Sequence, residues 1–328
     1  MAAVILAADA GGTKTHLGLY KAAGGSLELI RSSRYPSADF PSLEGVCAKF
    51  LGGSAKIDAA CFGVPGPVID GRAHPTNLPW TISESNLSTA IGGAPVTLIN
   101  DLCATAYGAI HLPSEEIVVL HPARNPPAHG NIAVIAAGTG LGEAALVWES
   151  GSYHAVASEG GHSDFAPQGD EQIELLRYLE AEFGHVSWER LLSGKGLANI
   201  HSFLRKRSDE PEPPWLSEQF GEGDPAAAIS VAALSNRDPV CVRALTMFCE
   251  IYGAEAANLA LKVLALGGVY LGGGVAPKIL PMLQKGAFVK AFMAKGRLEP
   301  LLERIEVRVA LNPAAALLGA AHRAAEML

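Results

Sequence analysis

Short apolar runs bounded by glycine and polar turns open the chain. Residues 4–9, 16–20, 27–31 and 57–64 read as strands, and apolar positions at helical spacing over 43–51 predict a helix between the last two. A second helical stretch, 84–91, leads to the strand "PVTLIN" and then to a small-residue segment opened by Asp101. Proline and polar residues around Pro113 and over 121–130 mark connections, and the main domain boundary is expected near Leu112. Beyond it the pattern starts over: residues 131–149 repeat the plan of 2–20, an apolar strand, a Gly/Thr turn and a second strand. Two such hairpins, one heading each half, predict two related α/β units facing each other across a cleft. The second half is helix-rich, with amphipathic candidates at 171–183, 188–192, 196–206 and 241–266 and a polar, proline-containing surface loop at 208–225. The last helix is expected over 313–327, with Asn312 as N-cap and Pro313 in the first position.

Residues 254–276 are long and apolar enough to raise a membrane span, but Glu255, Lys262 and five glycines predict a buried helix that stops at Gly267 and feeds a buried strand. Composition agrees with a folded protein: 328 residues suggest about two domains, and 49% hydrophobic against 18% charged residues supports a large core. A net charge of -8 without any basic block argues against a nucleic-acid partner. The five cysteines are scattered, odd in number and without CxxC spacing, and the N-terminus lacks a positively charged leader. A cytoplasmic setting without membrane attachment is therefore expected.

Three glycine turns carry the first chemistry. In "DAGGTKT", Gly11 and Gly12 remove side chains where backbone amides would meet an anion, and Thr13 adds a hydroxyl donor. Asp9 would repel phosphate unless a cation lay between them, and magnesium, a hard ion preferring oxygen ligands and water, suits that place. The structural alternative is a tight hairpin whose glycines merely permit positive φ. Gly138, Thr139 and Gly140 repeat the donors without the acid, and Gly272, Gly273 and Gly274 end an apolar strand where adenine or ribose would lie against backbone.

The second chemistry is acidic. Asn100 and Asp101 stand where a strand gives way to a helix, at the carboxyl edge where open α/β sheets bind ligands. Asp is also a preferred N-cap, so a capping role competes. Glu159 and His162 flank two glycines in "SEGGHSDFAP", and Glu189 follows "GHVSW". A satisfied core histidine is the plain reading of His162, and a first-turn helix acid near a Ser187 cap that of Glu189. Together the five side chains suit a neutral polyol, whose hydroxyls each need a donor and an acceptor. The transition state of phosphoryl transfer is loose, so a carboxylate of ordinary pKa suffices to orient a sugar hydroxyl and accept its proton late. Asp101 is the candidate, with the helix N-terminus expected to favour its ionised form.

The strings "DAGGTKT", "INDLCATA", "GTGLG", "SEGGHSDFAP", "GHVSWERLLSGKGL" and "LGGVYLGGGVAPK", in that order over nearly the whole chain, resemble the bacterial ATP-dependent glucokinases of the hexokinase/actin-like superfamily. The resemblance implies a two-domain, actin-like ATPase (ribonuclease H-like) α/β fold with glucose in the interdomain cleft, ATP and Mg²⁺ as donor and cofactor, and closure on substrate. It also implies a last helix that returns to the first domain, dividing the chain into 1–112 plus 313–328 and 113–312. Asp101 then matches the catalytic base, and Asn100, Glu159, His162 and Glu189 match sugar contacts. Ala8, Asp9, Ala10, Gly11, Gly12 and Thr13 match the first phosphate motif, with Asp9 holding magnesium through water; Gly138, Thr139 and Gly140 match the second. A homodimer is expected.

Two residues depart from the family pattern. Lys14 stands where Asn is frequent, and Glu143 where an apolar residue is usual, so Glu143 needs a partner or an exposed face. "GVPGPV" (63–68) is closer to the sugar-kinase family that includes sugar-responsive repressors, but that family's cysteine-rich zinc motif is missing after His162 and no DNA-binding helices precede Val4. The competing functions are a kinase for mannose or an N-acetylhexosamine, the use of polyphosphate as donor, and a non-catalytic sugar-binding regulator.

Overall fold

The computed structural model describes residues 2–53, 56–75 and 78–328. Five strands form a first sheet in the order β3-β2-β1-β4-β7: β1 (Ala3–Ala10), β2 (Lys14–Ala23), β3 (Ser26–Pro36), β4 (Ala59–Val64) and β7 (Val96–Asn100). β1, β2 and β3 make an antiparallel meander, whereas β4 and β7 extend the sheet parallel to β1. Parallel neighbours need long crossovers. α1 (Leu43–Leu51) supplies the first; a small ribbon of β5 (Arg72–Ala73) and β6 (Ile82–Ser83) with α2 (Glu84–Ala90) supplies the second. Every residue of β4 is buried, as a central strand covered on both faces requires.

The second sheet repeats this plan. β9 (Ile132–Ala137), β10 (Leu141–Glu149) and β11 (Ser152–Ser158) form its meander, and β12 (Gly268–Gly272) runs parallel to β9. β13 (Val307–Ala310) and β8 (Ile117–His121) complete the order β11-β10-β9-β12-β13-β8. Helices α4 (Gly169–Phe183), α5 (Gly194–Arg207), α6 (Pro214–Glu222), α7 (Pro225–Leu234), α8 (Pro239–Val263), α9 (Val275–Lys278), α10 (Leu280–Leu283), α11 (Ala287–Met293) and α12 (Glu299–Leu302) belong to this half. α5 and α8 cover one face, burying Ala133, Ile135 and Ala137 of β9.

Two helices stand between the sheets. α3 (Asp101–Ala109) buries Cys103, Ala106 and Tyr107 against Ile132, Val134, Ala144 and Leu146 of the second sheet. α13 (Ala315–Ala325) covers the first sheet instead, packing Leu317, Ala320, Ala321 and Ala324 on Ile5, Ala7, Ala59 and Cys61. The opposite face of β1, carrying Leu6, Ala8 and Ala10, packs with Leu43, Val46 and Phe50 of α1. The period-2 alternation of β1 thus serves two helical layers. α3 and α13 cross closely, because a Cβ on Gly319 would overlap the Ala104 carbonyl and one on Gly108 the Ala315 carbonyl.

Several expected elements shift. The 208–225 segment is not all loop: Pro214 opens α6, whose polar surface and single fully buried anchor, Leu216, hid its helical pattern. The last helix starts at Ala315, two residues after Pro313, because Asn312 Oδ1 accepts from Ala314 N at 2.7 Å and closes a turn instead of capping the helix. Trp188–Arg190 is a single 3-10 turn with no side-chain cap from Ser187. α8 ends at Val263, where Leu264 takes a left-handed φ of 48°. Among the described residues no helix is long and apolar enough to cross a membrane.

Candidate active site

The register of the first sheet brings its two acids together. Asp9 pairs with Gly63 across β1 and β4, and Val64 with Asn100 across β4 and β7, so Asp9 on β1 and Asp101 just after β7 stand at the carboxyl ends of parallel strands with only β4 between them. Gly63 keeps the gap narrow, since a Cβ there would stand 3.0 Å from Ala104 Cβ and 3.7 Å from Asp101 Cα. The helix cap is Asn100, not Asp101: its Oδ1 accepts from Leu102 N at 2.9 Å and Cys103 N at 3.3 Å, while its Nδ2 donates to Gly66 O at 3.2 Å. Asp101 is the first helical residue, and its Oδ1 accepts from Leu102 N at 2.9 Å.

The turn between β1 and β2 is closed by a bond from Gly11 N to Lys14 O at 3.0 Å. Ser37 braces it by donating through N to Thr13 O at 3.0 Å and through Oγ to Gly11 O at 2.7 Å. Thr13 and Lys14 are exposed, whereas Ala8 and Ala10 are buried and offer a ligand no side chain. Arg34 lies on the same cross-strand row as Asp9, through His16.

Sugar-binding candidates and the second glycine turn meet on the second sheet. Phe165 N donates to Val186 O at 3.0 Å and Trp188 N to Ser163 O at 3.1 Å, which ties the segment carrying Glu159 and His162 to the one carrying Glu189. Glu159 Oε2 and His162 Nε2 lie 4.0 Å apart with both side chains more than half exposed. Glu189 Oε2 accepts from Leu141 N at 3.0 Å and packs against Gly140, where a Cβ would collide with it. Gly138 N donates to Gly140 O at 2.8 Å, and Gly194 N to Gly138 O at 2.9 Å. Gly272 pairs with Ala136, which brings the third glycine run beside the second; Gly273, at φ +76°, sits where a Cβ would overlap the Ala137 carbonyl.

Electrostatics single out the acids. Burial pushes Asp9 up to about 6 against the pull of Arg34. Asp101 also rises to about 6, through burial and then the Asp9 carboxylate, with Glu159 adding a smaller push and the Leu102 amide opposing. The expectation of an ordinary, helix-stabilised carboxylate at 101 is thereby overturned: desolvation and like charge outweigh the helix N-terminus. Asp9, half-buried and near enough to Asp101 for the two charges to repel, offers oxygen ligands of the kind a hard divalent cation takes.

A cavity of about 650 Å³ extends from Gly138 and Thr139 past Gly274 to α7. Lys195 and Lys278 line it beside Ser193, Ser230 and Ile279. None of these five was singled out from the sequence. The S-x-x-G pattern at 193–196, in which Ser193 Oγ accepts from Gly196 N at 3.0 Å, was the available signal for Ser193 and Lys195. Arg34 had no sequence signal at all.

A family model described as Glucokinase matches residues 6–327. The chain is 41% identical to a glucokinase of Nostoc punctiforme, with 99% of each chain covered. Among solved structures, a glucokinase from an Antarctic psychrotroph superposes with a TM-score of 0.86 at 33% identity, covering 98% of this chain and 99% of that one. A ROK family glucokinase from Streptomyces griseus, described in complex with glucose and AMPPNP, has a TM-score of 0.67 at 24% identity over 98% and 99% of the two chains. The architecture is the actin-like ATPase fold of these sugar kinases. With a family model and a 41% identical relative both matching it almost from end to end, the chain belongs to the glucokinase family.

Proposed function

We propose that the chain transfers the γ-phosphoryl group of ATP to the 6-hydroxyl of D-glucose, with Asp101 as the base. Membership of the family makes it an ATP-dependent hexose kinase, a phosphotransferase. The observation that carries the assignment of the base is the position of Asp101: it starts the helix that abuts the second sheet, and its charge feels both Asp9 and Glu159. Glucose would lie between Asp101 and the Glu159–His162 pair. Glu189 Oε1 is available for a sugar hydroxyl while Oε2 holds Leu141 N, and Asn100 Nδ2 keeps a second hydrogen beyond its bond to Gly66.

Asp101 accepts the hydroxyl proton as the oxygen attacks phosphorus, and the phosphorus–oxygen bond to ADP breaks. Amides of 12 and 13 and of 139 and 140 receive the phosphates, those of Gly11 and Gly138 being spent on closing their own turns, while Lys195 and Lys278 face the cavity beside Gly138 and Thr139. Asp9 would hold Mg²⁺ through water; when bound, the ion neutralises phosphate charge. The halves 1–112 with 313–328 and 113–312 act as lobes whose closure excludes water. A cytoplasmic setting is supported by five unpaired, buried cysteines. Exposed Leu29 and Ile30 on edge strand β3 support a homodimer.

The test is ADP release measured with a panel of hexoses against ATP and polyphosphate, together with the variant Asp101→Ala. Glucose with ATP is expected to be the preferred pair, and the variant to bind glucose calorimetrically while losing turnover by about a hundredfold. Near-normal turnover would remove Asp101 from the role.

A further inference from the structure

Glu143 is a buried acid that the reaction does not use. It lies on β10, 1% exposed, and its backbone pairs with Ser158, the residue before Glu159. Its Oε2 packs against Gly160 so tightly that a Cβ there would overlap it, and Gly161 closes in the same way on the Leu141 carbonyl. The turn between Glu159 and His162 therefore rests on this carboxyl group.

Behind Glu143 stands α8. Glu255, fully buried, lies within hydrogen-bonding reach of it. The two acids are not equivalent. Glu255 Oε2 accepts from Asn258 Nδ2 at 2.8 Å and its Oε1 from Lys262 Nζ at 3.4 Å; Lys295 Nζ in turn donates to Asn258 Oδ1 at 2.6 Å. Glu143 Oε1 is buried and meets no donor. An ionised group in that place would be desolvated and uncompensated, whereas a neutral acid can itself donate to Glu255.

We propose that Glu143 is a positioning residue for the sugar loop: as a neutral acid donating to ionised Glu255, it holds the Gly160–Gly161 turn and so sets Glu159 and His162. This rests on the reading of those two residues as sugar contacts. Burial, then the Glu255 charge, raises Glu143 to about 8, with Lys262 opposing. The charged or titratable groups facing it are Glu255, Lys262 and Tyr252 from α8, with Lys295 reaching in through Asn258; Ser158 of β11 and Ile135 of β9 add no charge. Loss of the proton in mildly alkaline solution would set two carboxylates against each other and loosen the turn.

Steady-state kinetics between about pH 6 and about pH 10 on the full chain and on Glu143→Gln, Glu143→Ala and Glu159→Gln test this. The unmodified enzyme should show the KM for glucose rising about tenfold through pH 8 with the KM for ATP unmoved. Glu143→Gln, which keeps the donor but cannot ionise, should hold a low, flat KM. Glu143→Ala should have the raised KM throughout. A Glu143→Gln profile that follows the unmodified enzyme overturns the proposal, and this holds even if Glu143→Ala fails to fold. If Glu159→Gln leaves the KM for glucose unchanged, the sugar-loop reading itself has failed; if that KM rises while Glu143→Gln follows the unmodified enzyme, only the clamp has.

Discussion

At the level of single residues, burial sets the chemistry. Asp101 raised to about 6 must be ionised to accept a proton, so kcat/KM for glucose should fall as pH drops through about 6, and this limb should disappear from the residual rate of Asp101→Ala. The same shift bears on stability. Its folded pKa lies above the unfolded value of 3.8, so the native state holds the proton more tightly, and stability declines as pH rises between about 4 and 6. Asp101→Asn keeps an acceptor for Leu102 N but loses the ionisation penalty. It should therefore be more stable at neutral pH by about 3 kcal/mol in urea titrations while turnover collapses. A variant that is less stable there would show that the carboxylate is compensated in the free enzyme. Asp101 was legible in the sequence as a strand-end acid. Its raised pKa was not, because desolvation and the nearness of Asp9 exist only once β1, β4 and β7 lie side by side.

Among the elements, α3 decides the geometry. Its Asn100 cap is anchored to Gly66, its Leu102 sits over Gly142 of β10, and its Tyr107 hydroxyl accepts from Ala155 N at 3.0 Å. Asp101 is thus referenced to both sheets through one rigid element. The crossing with α13 depends on absent side chains at Gly108 and Gly319. Gly319→Ala should cost about 2 kcal/mol or more, because the Cβ would overlap helix backbone, which cannot rotate away as a side chain could. An unchanged midpoint in chemical denaturation would mean that the two helices can separate freely. The helix at 101–109 was readable from its opening residues, whereas α6 was not. A short surface helix with one fully buried anchor leaves almost no periodic signal.

On the scale of the whole molecule, Asp9 and Asp101 belong to the first sheet, and Glu159, Glu189 and the second and third glycine turns to the second. Chain passes between the sheets from α3 to β8 and from β13 to α13. Reaction between groups on two bodies linked in this way calls for closure. The radius of gyration from X-ray scattering should fall on adding glucose. An unchanged value at saturating glucose would mean that the lobes are already closed without substrate.

The sequence by itself determined the alternation of strands and helices, the repeated hairpin, the acids at strand ends and the glycine turns, because each of these depends on neighbours within a few positions. Tertiary structure alone decided that Arg34 shares a row with Asp9, that Lys195 and Lys278 face one cavity, and that Glu143 meets Glu255 across 112 positions of chain. Such pairings follow from sheet register and helix packing, which bring distant residues together without leaving a local pattern.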